Sequence, residues 1–202
     1  MPPVHVDPAK VREFPQATDF EAWLSQNQAS ADEIWIRIFK VGSGIASITP
    51  KEAIDICLCW GWIDAIRKSL DETSYLQRYT PRGVRSIWSR INVDNVARLV
   101  DQGRMTEHGQ KHVDAAKADG RWERAYGTSK DMPIPPDLQA AIDAEPAAAA
   151  MLETLSAQNR FALAFRIHNL KTEAARQRRI AAFVEMLKRG ETIHPQGRKT
   201  RP

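Results

Sequence analysis

The run Gly127 to Pro136, GTSKDMPIPP, divides the chain. It is dense in turn formers and lacks a periodic apolar pattern, so it reads as a linker. Before it, apolar residues follow both strand-like and helix-like spacings; after it they follow helical spacing only. The expected fold class is α+β: a small antiparallel sheet with flanking helices, followed by a C-terminal helical bundle. The expected organisation is a flexible arm over 1–15, an α+β unit over 16–126, the linker over 127–136, a helical unit over 137–193 and a disordered basic tail over 194–202. The helical unit is small enough to be marginal for independent folding.

Local signals place the elements. Thr18 or Asp19 can cap a helix running to Gln28. Glu33 to Lys40 is rich in β-branched and aromatic residues and reads as a strand. Thr49-Pro-Lys-Glu52 opens a helix that runs to about Trp60 and stops at Gly61, with Thr49 as cap and Pro50 at the first helical position. Trp62–Leu70 and Tyr75–Thr80 read as strands of a hairpin around the polar turn Asp71–Ser74. Helices are expected over Asp94–Gln102 and Thr106–Asp119, with Gly103 and Gly120 as stops. Beyond the linker, Leu138–Ala144 is a helix, Pro146 starts a second, Ser156 caps a third through Asn169, and Thr172 caps a fourth that ends at Gly190. In the last, Ile180, Phe183, Val184 and Leu187 form one apolar stripe.

With 43% hydrophobic and 27% charged residues among 202, the composition is that of a globular protein and excludes collagen, low-complexity disorder and a disulfide scaffold. The apolar runs are too short to span a bilayer, and the N-terminus MPPVHVDPAKVREF lacks the profile of a secretion signal, so a cytoplasmic location is expected. Cys57 and Cys59 point about 200° apart on a helix and are expected as buried thiols. The net charge of +4 conceals an asymmetry: residues 1–155 are net acidic, whereas residues 156–202 carry 11 basic groups against 3 acidic ones. That basic end suits an acidic partner, an anionic membrane or nucleic acid, or is simply a solvated helix face.

The densest stretch of chemistry is Trp60 to Asn92. Trp62 and Trp88 offer flat contact area, Arg78 and Arg82 a guanidinium clamp for a carboxylate or phosphate, and Asp64, Lys68 and Ser86 orienting contacts. These seven residues form the expected ligand site for a small anionic or planar ligand. Period-2 alternation groups Leu76, Arg78 and Thr80 on one strand face, and Asp64, Ile66 and Lys68 on one face of the neighbour. The same Arg and Trp residues also suit cross-strand pairing and core packing.

Other constellations are weak. His108 and His112 in HGQKH share a helix face, but Gly and Gln stand where a metalloprotease carries its glutamate, and two ligands do not make a zinc site, so no metal is expected. His168 reads as a packed or capping residue, and His5 and His194 as parts of flexible ends. Ser43 lies in a Gly-Ser-Gly turn, with no nucleophile elbow or phosphate loop around it. Asp32-Glu33 and Asp71-Glu72 sit at cap or turn positions. No cofactor is expected. Nucleic acid is disfavoured as a partner because no aromatic residue interleaves with Arg176, Arg178 and Arg179.

The segments LCWGWIDAIRKSLDETSYLQRYTPRGVRSIWSRIN, GRMTEHGQKHVDAAKADGRWERAY and RQRRIAAFVEMLKRGETIH resemble the YdeI/OmpD-associated family of bacterial proteins. The chain departs from the family pattern at Ala65, where a second glycine follows the W-I-D aspartate, which puts a close backbone approach there in question. The resemblance implies a bacterial, cytoplasmic protein with a role in stress or bacteriocin (antimicrobial-peptide) resistance. It implies no catalytic residues, and it marks Trp60–Asn92 as the defining region.

Three readings follow. The first is a non-catalytic protein binding a small anion, or an acidic protein segment, beside the hairpin. The second is an enzyme using the same pocket, with Asp64 as acid or base and Lys40 or Arg78 stabilising charge. The third is an interaction module working through the basic helix 172–189.

Overall fold

The computed structural model describes residues 4–128 and 132–197. Among these residues it holds eight α-helices and one four-stranded sheet, an α+β fold as expected. The chain forms two compact units: Met1–Trp88 with Asn92–Ala125, and Ser89–Ile91 with Tyr126–Pro202.

In the first unit the sheet order is β1-β2-β4-β3, made by Val11–Arg12, Ile34–Phe39, Ser74–Pro81 and Trp62–Ser69 respectively. β3 and β4 form the expected hairpin; β2 pairs antiparallel to β4, and β1 runs parallel to β2. The register sets Ile34, Ile36 and Ile38 opposite Tyr79, Gln77 and Tyr75. Side chains of directly paired residues share a face, so these residues line one side of the sheet. On that side Phe20 and Leu24 of α1 (Ala17–Asn27) and Ala53, Ile56 and Cys57 of α2 (Pro50–Cys59) complete a buried core with Ile34, Ile36, Ile38, Trp62 and Tyr79. α2 starts as predicted: the Thr49 hydroxyl accepts from Glu52 N–H (3.2 Å), and the Glu52 carboxylate accepts from Thr49 N–H (2.8 Å). α1 begins one residue before the expected caps; the Asp19 carboxylate instead accepts from the Gln16 N–H at 3.2 Å.

Two expectations for this unit are corrected. The arm over 1–15 is not loose across its described residues. Val11–Arg12 pairs with Trp35 and Ile36, Phe14 enters the core, and Val4 O accepts from Lys68 Nζ at 3.0 Å. Prolines at both ends hid a two-residue strand too short to show periodicity. Second, Asp64 and Lys68 do not share a strand face. A bulge lies between Asp64 and Arg67, so Asp64 pairs with Tyr79 but Lys68 with Leu76. One extra residue inverts the alternation beyond it. Gln77, buried at 4% exposure, fills the bulge: its amide donates to the carbonyls of Ala65 (3.2 Å) and Ile66 (3.4 Å) and accepts from Arg67 Nε (3.0 Å).

α3 (Arg90–Asp101) and α4 (Glu107–Ala118) enclose a second small core in which Trp88, Val96, Leu99, Val113 and Ala116 pack with Leu58 and Cys59. α4 crosses the end of α2 at backbone contact, and the Thr106 hydroxyl donates to the Cys59 carbonyl at 2.6 Å.

The second unit is helical throughout its named elements: α5 (Pro136–Asp143), α6 (Pro146–Thr154), α7 (Ala157–His168) and α8 (Glu173–Lys188). Leu138, Ile142, Leu152, Leu163, Ile167 and the predicted α8 stripe of Ile180, Phe183, Val184 and Leu187 bury one core. Ser156 and Thr172 cap α7 and α8 as expected. Arg176 holds Asp137 through two nitrogens, tying α8 to α5. Of the tail expected to be disordered, residues 194–197 are described. His194 and Gln196 hydrogen-bond to Asn159, itself only 1% exposed, so the chain is latched here by a buried amide. Residues 198–202 of the tail and 129–131 of the linker lie outside the described residues.

Candidate functional site

The structure disperses the seven expected ligand residues. Trp62 (1% exposed) and Trp88 (2%) are core side chains: Trp62 packs edge-on against Trp23 at 6.0 Å, and Trp88 against Trp122 at 4.8 Å. Trp62 also contributes to the lining of a cleft at the end of the hairpin. Arg82 is buried too; its guanidinium lies 3.8 Å over the Trp88 ring and donates to the Ile87 carbonyl at 3.2 Å. Its backbone N–H donates to Gly61 O at 2.9 Å. Arg82 therefore braces the loop after β4. Ser86 belongs to the same loop, and its carbonyl accepts from Arg121 Nη1 at 2.8 Å. Arg78 pairs with Glu33 across the sheet edge, and Lys68 is engaged with Val4. Asp64 is exposed, so the burial that would tune it as a catalytic acid or base is missing. Lys40, the alternative charge stabiliser, donates instead to the carbonyls of Asp71 and Glu72. Arg residues and indoles satisfied one another, because stacking a guanidinium on a buried ring serves a core as well as it serves a ligand.

A cleft of about 470 Å³ opens one step away, where α2 ends at Trp60-Gly61 and α4 crosses it. Its basic wall is one turn of α4. His108, Lys111 and His112, at i, i+3 and i+4, share a helix face. The opposite wall includes Gln28, after α1, and the Trp60 ring, which stacks on His108 at 5.6 Å and 16°. His108 Nε2 lies 3.5 Å from the Gln28 side-chain nitrogen, an amide that donates only to an unprotonated ring nitrogen. The exposed Glu107 carboxylate is 3.8 Å from the same nitrogen.

Two glycines make this geometry. Gly61 has φ +73, and a Cβ there would lie 2.6 Å from the His108 carbonyl oxygen and 2.8 Å from His112 Cδ2. Gly109, the middle of HGQKH, would place a Cβ 2.4 Å from the carbonyl oxygens of Leu58 and Cys59. The glycine that spoils the metalloprotease pattern is what lets α4 come close enough to project both histidines toward the end of α2.

No acidic side chain lines the cleft. Burial holds the His112 imidazole below its ordinary protonation range, and the nearby Lys111, Arg82 and Arg121 charges push it further down. A site that already disfavours its own proton is short of negative charge, which a bound anion would supply. Among the described residues no group of three or more His, Cys, Asp or Glu side chains is placed to hold a metal ion.

Lys111 and His112 were visible in the sequence only as members of a failed metal motif. Their spacing was the usable signal, and its meaning depended on Trp60-Gly61, which lies some fifty residues upstream in the chain.

Elsewhere, part of the basic charge of α8 and its C-cap is paired within its own unit, while Arg178 and Arg179 make no ion pair among the described residues. Arg176 pairs with Asp137, Lys188 with Glu185 and Glu145, and Arg189 with Glu191. Cys57 and Cys59 are free, buried thiols; burial raises both, Cys59 to about 11, which keeps them protonated and inert. No helix among the described residues is long and apolar enough to cross a membrane.

Fold and cleft together define a two-unit α+β protein with a cationic pocket. The chain belongs to the family described as "Domain of unknown function (DUF8412)", whose model matches residues 12–112, and the model of the family described as "Bacteriocin-protection, YdeI or OmpD-Associated" matches residues 131–190. The second match supports the resemblance read from the sequence and falls on the helical unit; the Trp60–Asn92 runs fall within the first. No curated protein and no solved structure matches the chain.

Proposed function

We propose that this protein binds a small anion without transforming it, and that the ligand sits in the cleft between Trp60-Gly61 and α4, at the end of the hairpin marked by Trp62 and Pro81. One observation carries the reading: His108, Lys111 and His112 converge on a concave site that no acidic side chain lines. Lys111 supplies fixed positive charge, the histidines supply directional N–H donors, and the Gln28 amide supplies another. The class of ligand is an oxyanion such as a phosphate or carboxylate. The protective role against bacteriocins named in the description of the second family is proposed to act through this binding.

Thermal unfolding in the presence of inorganic phosphate, citrate and adenosine monophosphate tests the reading. A ligand at roughly 100 times its dissociation constant adds about 2.7 kcal/mol of stability, a readily measured shift. The expected result is stabilisation by at least one of these anions that disappears in Lys111→Ala and in His112→Ala but persists in Arg78→Ala. Stabilisation unchanged in both α4 variants, or absent with every anion, overturns the proposal.

A further inference from the structure

A second site is built into the helical unit, on the face of α7 that its core does not use. Leu163 and Ile167 point into the bundle, while Gln158, Phe161, Phe165 and Arg166 line a separate cleft of about 560 Å³. Its floor is aromatic. Phe161 and Phe165 stack at 5.5 Å and 29°, and Tyr126 meets Phe165 edge-on at 4.8 Å. Both phenylalanines remain only half-buried. Such a ring cluster has edges and faces left for one more ring, and aromatic groups prefer the offset or T-shaped contacts available there.

The rim carries positive charge without a counter-charge. Arg166 makes no ion pair or hydrogen bond among the described residues, α7 has no Asp or Glu, and no acidic side chain lines the cleft. The other basic group is His194, brought here by a dedicated device. Asn159 accepts from the His194 N–H (2.9 Å) and donates to its carbonyl (3.1 Å); the same amide holds Gln196 at 2.7 Å. A buried asparagine thus fixes the backbone at His194 by two bonds and leaves its ring, which has no partner among the described residues, at the cleft.

We infer that this cleft binds a small aromatic carboxylate, its ring on Phe161 and Phe165 and its carboxylate between Arg166 and His194. A planar guanidinium takes a carboxylate with two parallel hydrogen bonds, the imidazole adds a third donor, and the volume accommodates a single ring with a short chain. Asn159 is a positioning residue for His194. This site is independent of the α4 cleft, since every side chain in it belongs to the second unit.

The test titrates the full chain with 3-phenylpropionate and with its neutral amide by calorimetry, and follows the Phe161, Phe165 and His194 ring resonances by NMR. The carboxylate is expected to bind and to shift those resonances. The amide, Arg166→Gln and His194→Gln should each weaken binding by about tenfold, the loss expected for one charge-assisted hydrogen bond. Lys111→Ala should leave it unchanged. Arg166 is exposed and His194 half-buried, so an unchanged melting temperature verifies folding of each variant. Equal binding of acid and amide, no binding of the acid, affinity unaltered in both variants, or binding lost in Lys111→Ala would each overturn the inference.

Discussion

Gly109 rests directly on the last turn of α2: a Cβ at this position would lie 2.4 Å from the Cys59 carbonyl oxygen. The same oxygen accepts from Thr106, at the start of α4, at 2.6 Å. One carbonyl therefore both anchors α4 and sets how near it comes. The basic wall of the proposed anion site depends on that distance, because His108 and His112 flank Gly109 on the same turns.

Gly109→Ala forces backbone against backbone, which no rotamer change relieves. It is expected to destabilise the first unit by about 1–3 kcal/mol, the usual cost of overpacking. It should weaken anion binding as well, since relief requires α4 to move off α2. Denaturant melts and phosphate titration of the same variant check both; a variant of wild-type stability would show that the crossing is not close.

Trp62→Ala and Arg78→Ala separate the cleft from the hairpin face. The Trp62 side chain is 1% exposed in the main core, so its loss should cost about 3–5 kcal/mol of stability. Arg78→Ala breaks a partly exposed pair with Glu33 and should cost about 1 kcal/mol or less. Arg78→Ala should leave anion affinity per folded molecule in the Lys111 cleft unaltered, whereas Trp62→Ala, which removes part of the cleft lining, should weaken it. A large affinity loss in Arg78→Ala at unchanged stability would restore the hairpin as the site.

The hairpin turn should be acid-sensitive. The Asp71 carboxylate accepts from the Ser74 hydroxyl and from the N–H groups of Thr73 and Ser74, and pairs with Arg37. The Ser74 hydroxyl bond foremost, then the Thr73 and Ser74 contacts, holds it well below the ordinary carboxylate range. A carboxylate depressed in the fold contributes stability above its unfolded value, near 3.8, and that contribution is lost as pH falls through the lower folded value. Asp71→Asn should therefore lower stability at neutral pH and flatten the acid limb of the stability–pH curve. An acid limb identical to wild type would contradict this.

Anion binding should strengthen on mild acidification. His112 is held below its ordinary value of 6.5 by burial and by Lys111, Arg82 and Arg121. Without ligand, stability falls as pH drops below about 6.5, because the unfolded imidazole takes up a proton that the folded one resists. A bound anion offsets that field and favours the imidazolium, so affinity rises over the same range. Calorimetry with a fully ionised sulfonate or sulfate, whose own charge does not titrate there, isolates the effect. His112→Gln should remove it.

Much of the fold was legible because its signals are local. The Thr49–Glu52 capping box, the Asp71–Ser74 turn and the α8 stripe each depend on residues a few positions apart. The candidate site was not legible, because it depends on pairs far apart in the chain: Gly61 with His112, Trp60 with His108, Asn159 with His194. Side-chain chemistry alone also could not tell that Trp88 and Arg82 pack on each other, since an indole beside a guanidinium has the same composition whether it faces a ligand or packs a core. Alternation failed at a single place, the bulge near Ala65, and one residue there sufficed to separate Asp64 from Lys68.

Asn159→Ala should show how far the second unit relies on its one buried amide. The side chain bonds His194 N–H, His194 O and Gln196 at once, and removing it strands the His194 N–H beside a small void, while Thr192 still donates to the His194 carbonyl and Ser156 N–H to Gln196. A cost of about 1–3 kcal/mol is expected from the unpaired backbone N–H. Exchange of the His194 amide hydrogen should accelerate far more than that of residues in the α8 core, because the latch opens before the bundle does. Asn159→Asp keeps the acceptor for the His194 N–H but loses the donors to its carbonyl and to Gln196, so it should fall between wild type and alanine in both measurements. Equal exchange at His194 in all three proteins would mean that Thr192, whose hydroxyl donates to the His194 carbonyl at 2.9 Å, suffices to hold the segment without the amide.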